Sequence, residues 1–186
     1  MTNLSSDFGL DTLYGSNAEM QLLETIVAAN DATIDFTTLD WSAYPEFLVR
    51  ATNITPGTDA ANPYLRISEG GSFISSASSY EYHNSYFHST SEGYTGTGGS
   101  TQILLGNIAL GTNAGENSYD WIRIVGGAAG TRTAILHAAL RENSSGNLYV
   151  CQSGGRRLST LETDGIRFLT DTGTVATGTF KLFGLK

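Results

Sequence analysis

The chain has 186 residues, the length of a single domain, and 40% of them are hydrophobic, enough to build a substantial core. Its formal net charge is −8 and Arg156-Arg157 is its only adjacent basic pair, which argues against nucleic acid as a partner. No run of about 20 apolar residues predicts a membrane span, and the start of the chain lacks the features of a signal peptide, so we expect folding in a cytoplasm.

Charged residues make up only 15% of the chain, and Gly, Ser, Thr and Asn take their place. Such a composition favours short strands joined by turns, because Gly and Asn supply turn conformations while β-branched and aromatic residues fill pleated surfaces. Cys151 is the single cysteine, so an intrachain disulfide is excluded. Its apolar neighbours predict a small buried residue and not a reactive thiol.

Residues 1–18 are polar and lack periodicity, so we interpret them as a short N-terminal arm, a candidate anchor, in front of a domain over residues 19–186. The start of this domain fits two structures. Apolar residues between Glu19 and Ala29 have helical spacing, and Ser16 with Glu19 forms a capping box. A strand over about residues 21–28 fits equally well.

Strand patterns dominate the rest of the chain, and nine to eleven short strands are predicted. They lie at about residues 32–36, 47–51, 64–67, 78–89, 102–105, 119–124, 134–140, 147–152, 165–169 and 178–185. Residues 134–140 also fit a short helix, residues 55–59 form a turn, and residues 93–99 are predicted to be a Gly-rich loop. Because no strand–helix–strand alternation appears, the pattern indicates an all-β fold, an antiparallel β-sandwich.

The Ser/Tyr-rich strand near residues 78–89 carries the candidate contact site. One face of this strand presents the residues Tyr80, Tyr82, Asn84, Tyr86 and His88, and the other presents Glu81, His83, Ser85 and Phe87. The first set, called the Tyr row below, combines flat rings with hydrogen-bonding tips and suits a sugar or a protein partner. The competing interpretation is that these tyrosines line a sandwich face or a subunit interface.

Asp171-Thr172-Gly173 matches the catalytic triplet of aspartic proteases, which need two carboxylates sharing a proton. The chain has no second copy of the triplet, and only 13 residues follow Gly173. We therefore predict a turn between two strands at this point.

Histidine chemistry receives equally little support. His83 and His88 are five residues apart and fall on opposite strand faces, and His137 in its apolar run is predicted to be a satisfied, partly buried side chain. The sequence predicts no enzyme, no cofactor and no metal site.

Trp121 and Arg123 share one face of their predicted strand, and Ile122 and Ile124 occupy the other. Either Trp121 or Arg123 is a candidate binding anchor. For Trp121 we expect the alternative, a place in the sandwich core, because a core usually contains the Trp of such a domain.

Two blocks of the chain resemble structural proteins of tailed-bacteriophage particles. The first begins with Ile34-Asp35-Phe36, continues through Asn53 and Pro56, and ends with Leu65-Arg66-Ile67 and Gly70-Gly71. The second contains Ile166-Arg167-Phe168 and the final strand from Gly178 to Gly184. The resemblance spans residues 20–186 loosely and is sharp only in these blocks.

This resemblance implies a jelly-roll-like sandwich in a virion protein of the capsid surface or the tail. It also implies a homotrimer that contacts other virion proteins and a host glycan, and it carries over no catalytic residue. The short arm favours a capsid decoration or head-spike subunit over a long tail fibre. The alternative function is a free-standing carbohydrate-binding module built on the Tyr row.

Overall fold

A computed structural model describes residues 19–186, so the predicted arm lies outside the described residues. The described chain forms thirteen strands and no helix. These strands are β1 (Met20–Asp31), β2 (Ile34–Phe36), β3 (Glu46–Pro56), β4 (Pro63–Glu69), β5 (Ser72–Phe73), β6 (Tyr80–His88), β7 (Ser91–Ser100), β8 (Ile103–Leu104), β9 (Ser118–Val125), β10 (Ala134–Glu142), β11 (Leu148–Arg157), β12 (Gly165–Thr170) and β13 (Val175–Leu185).

The strands form two antiparallel sheets that pack together, which confirms the predicted antiparallel β-sandwich. The large sheet has eight strands in the order β1-β13-β3-β9-β10-β11-β6-β7. The small sheet has the order β2-β12-β4-β5, and β8 also pairs with β4. The chain crosses repeatedly between the sheets: β1 and β3 belong to the large sheet, whereas β2 and β4 belong to the small one.

The core lies between the two sheets. It forms because buried and exposed side chains alternate along the strands, so one face of each sheet is apolar. In β9, for example, Ile122 and Ile124 are buried while their neighbours face solvent. Phe168 of the small sheet packs on Phe180 of the large sheet with ring centroids 5.1 Å apart. Cys151 is fully buried, as predicted, and burial raises the pKa of its thiol.

The two segments that fitted either helix or strand are both strands. Residues 20–31 form β1, which pairs with β13 along nearly its whole length, and residues 134–142 form β10 between β9 and β11. Pairing supplies the backbone hydrogen bonds that a helix would have formed internally, so the helical spacing of residues 19–29 was misleading. The predicted turn at residues 55–59 starts late, because β3 extends to Pro56.

The prediction of a loop over residues 93–99 was wrong, because these residues lie in strand β7, an edge of the large sheet. Glycine here admits neighbouring side chains from β6. A Cβ at Gly93 would lie 2.6 Å from the Tyr86 ring, and one at Gly96 would lie 2.7 Å from Nδ1 of His83. The glycines therefore allow β6 side chains to lie across the edge strand.

Candidate functional site

The Tyr row faces inward, toward the small sheet. Tyr80 and Asn84 are fully buried, and Tyr82, Tyr86 and His88 are half-buried. The predicted contact set is therefore corrected: Tyr80 and Asn84 belong to the core and reach no partner in the folded domain. The alternation along β6 was predicted correctly, and His83 and His88 do lie on opposite faces.

Tyr80 connects the two sheets. Its hydroxyl accepts the amide of Ile67 at 3.0 Å and donates to the carbonyl of Ile74 at 2.9 Å. The guanidinium of Arg157 lies over its ring, 5.5 Å from the centroid. Burial raises the pKa of Tyr80, so the hydroxyl stays protonated and serves both bonds at neutral pH.

The other end of the Tyr row joins a small aromatic cluster with Tyr149 of β11. Tyr86 meets Tyr149 edge to face at 5.6 Å between ring centroids, and His88 stacks on Tyr149 at 4.8 Å. Each ring covers part of the apolar surface of its neighbour. This end of the predicted contact set and the half-buried Tyr82 keep some access to solvent.

A second polar group, unforeseen from the sequence, lies inside the sandwich. His137 bonds through Nε2 to Asp120 at 2.9 Å and through Nδ1 to Ser153 at 3.2 Å. Serine, histidine and carboxylate in contact are the components of a hydrolase triad. His137 is thus satisfied, as predicted, and is more fully buried than expected.

The surroundings of these three residues explain what the arrangement does. The Ser153 oxygen accepts the amide of Gly106 at 2.7 Å, and the side-chain amide of Asn84, oriented to donate, reaches the same oxygen at 2.8 Å. The side chains of Asp120 and His137 have no exposed surface, and Ser153, 8% exposed, has its hydroxyl in buried hydrogen bonds. The group therefore organises the interior and presents no nucleophile to solvent.

Arg141 completes this buried polar network. Its guanidinium bonds Asp120 at 3.1 Å and also donates to the carbonyls of Leu105 and Ile108 at 3.0 and 2.7 Å. Burial alone would raise the pKa of Asp120, but Arg141, His137 and a hydrogen bond from Ser118 outweigh it and lower that pKa. Asp120 is therefore charged at neutral pH and paired with Arg141.

Asp171 lies in the turn between β12 and β13, as predicted. Its carboxylate accepts the backbone amide of Asn62 at 2.8 Å and the side-chain amide of Asn62 at 2.9 Å. The backbone amide of Asp171 donates a hydrogen bond to the Asn62 carbonyl at 3.0 Å. The carboxylate thus ties the turn to the segment that enters β4.

The outer face of the large sheet carries an exposed apolar row. Tyr119, Leu140, Val150 and Phe87 are paired side by side across β9, β10, β11 and β6, and each is 37–47% exposed. We call these four residues the ridge. Leu148 and Leu136 add exposed apolar surface on the same face.

Trp121 also lies on this outer face, so the expectation that the core contains it was wrong. Ile122 and Ile124 occupy the buried face of β9, and alternation leaves Trp121 and Arg123 outside. Arg123 forms an ion pair with Glu46 of the neighbouring strand β3. Trp121 remains a candidate binding anchor with 39% of its surface exposed.

Two adjoining depressions cross the same face beside the ridge, with volumes of about 810 and 640 Å³. Both are lined by His83 and Gly154. Tyr94, which is 80% exposed, borders the first depression, and Trp121 borders the second. We call the combined feature the trough.

Within residues 19–186, no group of three or more His, Cys, Asp or Glu side chains is placed to hold a metal ion. The same residues contain no helix that is long and apolar enough to cross a membrane. Comparisons of the chain with protein-family models, with curated proteins and with solved structures gave no match.

Proposed function

We propose that the protein is a structural subunit of a tailed-bacteriophage particle, a capsid decoration, head-spike or tail-associated protein that assembles in the host cytoplasm. The type of particle is suggested by the two sequence blocks around Ile34-Asp35-Phe36 and Ile166-Arg167-Phe168. A role in assembly is supported by one structural observation, the ridge.

The ridge is an unusual surface for a protein that works alone. Four apolar side chains on four adjacent strands form a continuous row, and each is more than one third exposed. Large contiguous apolar patches on a folded domain mark interaction surfaces. We place the ridge between copies of the chain in a homotrimer, whose remaining surface contacts other virion proteins.

The alternative function, a free-standing carbohydrate-binding module, was predicted on the Tyr row. Burial of Tyr80 and Asn84 removes two of its five members from any contact surface. The Tyr row therefore no longer favours the carbohydrate-binding module over the particle subunit. The ridge favours the particle subunit.

Immunoelectron microscopy of purified particles tests the particle assignment. Antibody label on the head or tail is the expected result, and its position distinguishes decoration from tail association. Particles that remain unlabelled, while the antibody recognises the isolated protein, would refute the assignment.

The role of the ridge is tested in the isolated protein. Leu140→Lys places a charge in the centre of the ridge, so it should convert the homotrimer to monomers in analytical ultracentrifugation. Thr25→Lys, an exposed substitution on β1, is the matched control and should leave the trimer intact. A wild-type protein that sediments as a monomer would contradict the interface.

A further inference from the structure

The trough follows one row of paired residues across five strands. Trp121 of β9 pairs with Ala138 of β10, Ala138 with Gln152 of β11, Gln152 with Ser85 of β6, and Ser85 with Tyr94 of β7. Large aromatic residues thus stand at both ends, and small or polar residues lie between them. Four strand spacings separate the ends, a span of about 19 Å.

Gly154 lies where the two depressions meet, since it lines both of them, and packing does not explain its presence. A Cβ at Gly154 would meet nothing within 4 Å. The next residue, Gly155, differs, because a Cβ there would lie 2.9 Å from Ile103 in the core. Glycine inside a strand costs stability, and it often marks a place where a ligand approaches the backbone closely.

The walls around Gly154 combine a ring platform with polar groups. The rings of His83 and Tyr94 lie nearly parallel, at 19° and 6.2 Å between centroids. Gln152 and Arg156 flank Gly154 along β11, and Arg156 forms an ion pair with Glu81 on the neighbouring strand. Both arginines that line the trough, Arg123 and Arg156, are paired with carboxylates, so the trough offers little net charge.

We propose that the trough is a binding site for a neutral saccharide chain of three or four pyranose units. Each pyranose presents an apolar C–H face that stacks on an exposed ring, here Tyr94 and Trp121, and hydroxyl groups that bond amides, carboxylates and guanidinium groups at its edge. The span between the two rings matches several sugar units, and Gly154 lets one of them reach the backbone.

This inference does not rest on the particle assignment, because the trough is complete within a single chain. It also differs from the sugar contact predicted on the Tyr row, because only Tyr82 of that row lines the trough. The trough begins one residue row beyond the ridge, about 7 Å away along the strands.

Titration of the wild-type protein with maltotriose, cellotriose, mannotriose and N-acetylchitotriose, followed by saturation-transfer NMR and calorimetry, tests the site. At least one of these should bind with a Kd of about 1 mM or tighter. Gly154→Val fills the floor and Tyr94→Ala removes a ring, so each should weaken binding at least about tenfold. Thr25→Val on β1, three strands away from Trp121 and outside the trough, is the matched control and should bind as wild type does.

The stability of Gly154→Val separates loss of the site from loss of the fold. Because valine suits a strand better than glycine and a Cβ at residue 154 would meet no atom within 4 Å, the urea midpoint of the variant should equal or exceed that of the wild type. Failure of all four sugars to bind, or undiminished binding by Gly154→Val, overturns the proposal. Dissociation of the trimer by Gly154→Val would also overturn it, since the floor would then be a protein contact.

Discussion

Replacing Arg141 by methionine tests the most demanding interaction in the core. Methionine keeps much of the apolar stem of arginine but removes its bonds to Ser118, Asp120 and the carbonyls of Leu105 and Ile108. Asp120 then remains in the interior with His137 and Ser118 as its only polar neighbours among the described residues.

The expected loss is large because the remaining carboxylate is charged and out of reach of water. Removing one partner of a buried ion pair costs about 3–5 kcal/mol. The total free energy of unfolding of a domain of this kind is about 5–15 kcal/mol. Urea unfolding, monitored by tryptophan fluorescence and circular dichroism, measures the change in the free energy of unfolding. Arg132→Met, at an exposed arginine, is the control and should change it by less than about 0.5 kcal/mol.

A double variant decides whether the unpaired charge is the cause. Asp120→Leu combined with Arg141→Met removes both charges, so its loss should be clearly smaller than the sum of the two single losses. Strict additivity, or an Arg141→Met variant as stable as Arg132→Met, would refute the argument.

Three further predictions follow from named contacts. The pKa of Asp120 is lowered in the folded state, so the contribution of Asp120 to the free energy of unfolding is present above about pH 4 and is lost as pH falls through the folded pKa. In acid, the free energy of unfolding of Asp120→Asn should therefore fall less steeply with decreasing pH than that of the wild type. An unchanged slope would contradict this. Tyr80→Phe should lower the free energy of unfolding in urea by about 1–3 kcal/mol, because the Ile67 amide and the Ile74 carbonyl lose their hydrogen-bond partner. An unchanged free energy of unfolding would argue against a stabilising role of these two hydrogen bonds. Asp171→Asn should cost less than about 1 kcal/mol and leave trimer formation unchanged in ultracentrifugation; loss of a hydrolytic activity would reinstate the protease interpretation.

The fold was predictable because alternation in the strands is a local property. Ile122 and Ile124 on one face of β9, and the two faces of β6, could be assigned from spacing alone. Which face points inward depends on the neighbouring sheet, so the sequence placed Trp121 in the core and left the Tyr row undecided. The strand β7 was missed because its glycines serve Tyr86 and His83 of another strand, a contact that only the pairing reveals.

The buried polar network left a weak signal in the sequence. His137 and Arg141 occupy the same strand face as Ile135 and Ala139, all of them inward positions of β10. Polar and charged side chains at core-facing positions need partners, but Asp120 and Ser153 come from other strands, at separations that no local pattern encodes. The ridge and the trough were hidden for the same reason, since each collects single residues from several strands.

The strand order has a consequence for biosynthesis. Within the described chain, β1 pairs with β13 alone, and β13 also separates β1 from β3. Of the described strands, β1 leaves the ribosome before the others and must wait for β13 before it pairs in the large sheet. Its exposed leucines and valine stay available to other chains during that interval, so efficient production depends on rapid completion of synthesis or on chaperones that shield nascent β1.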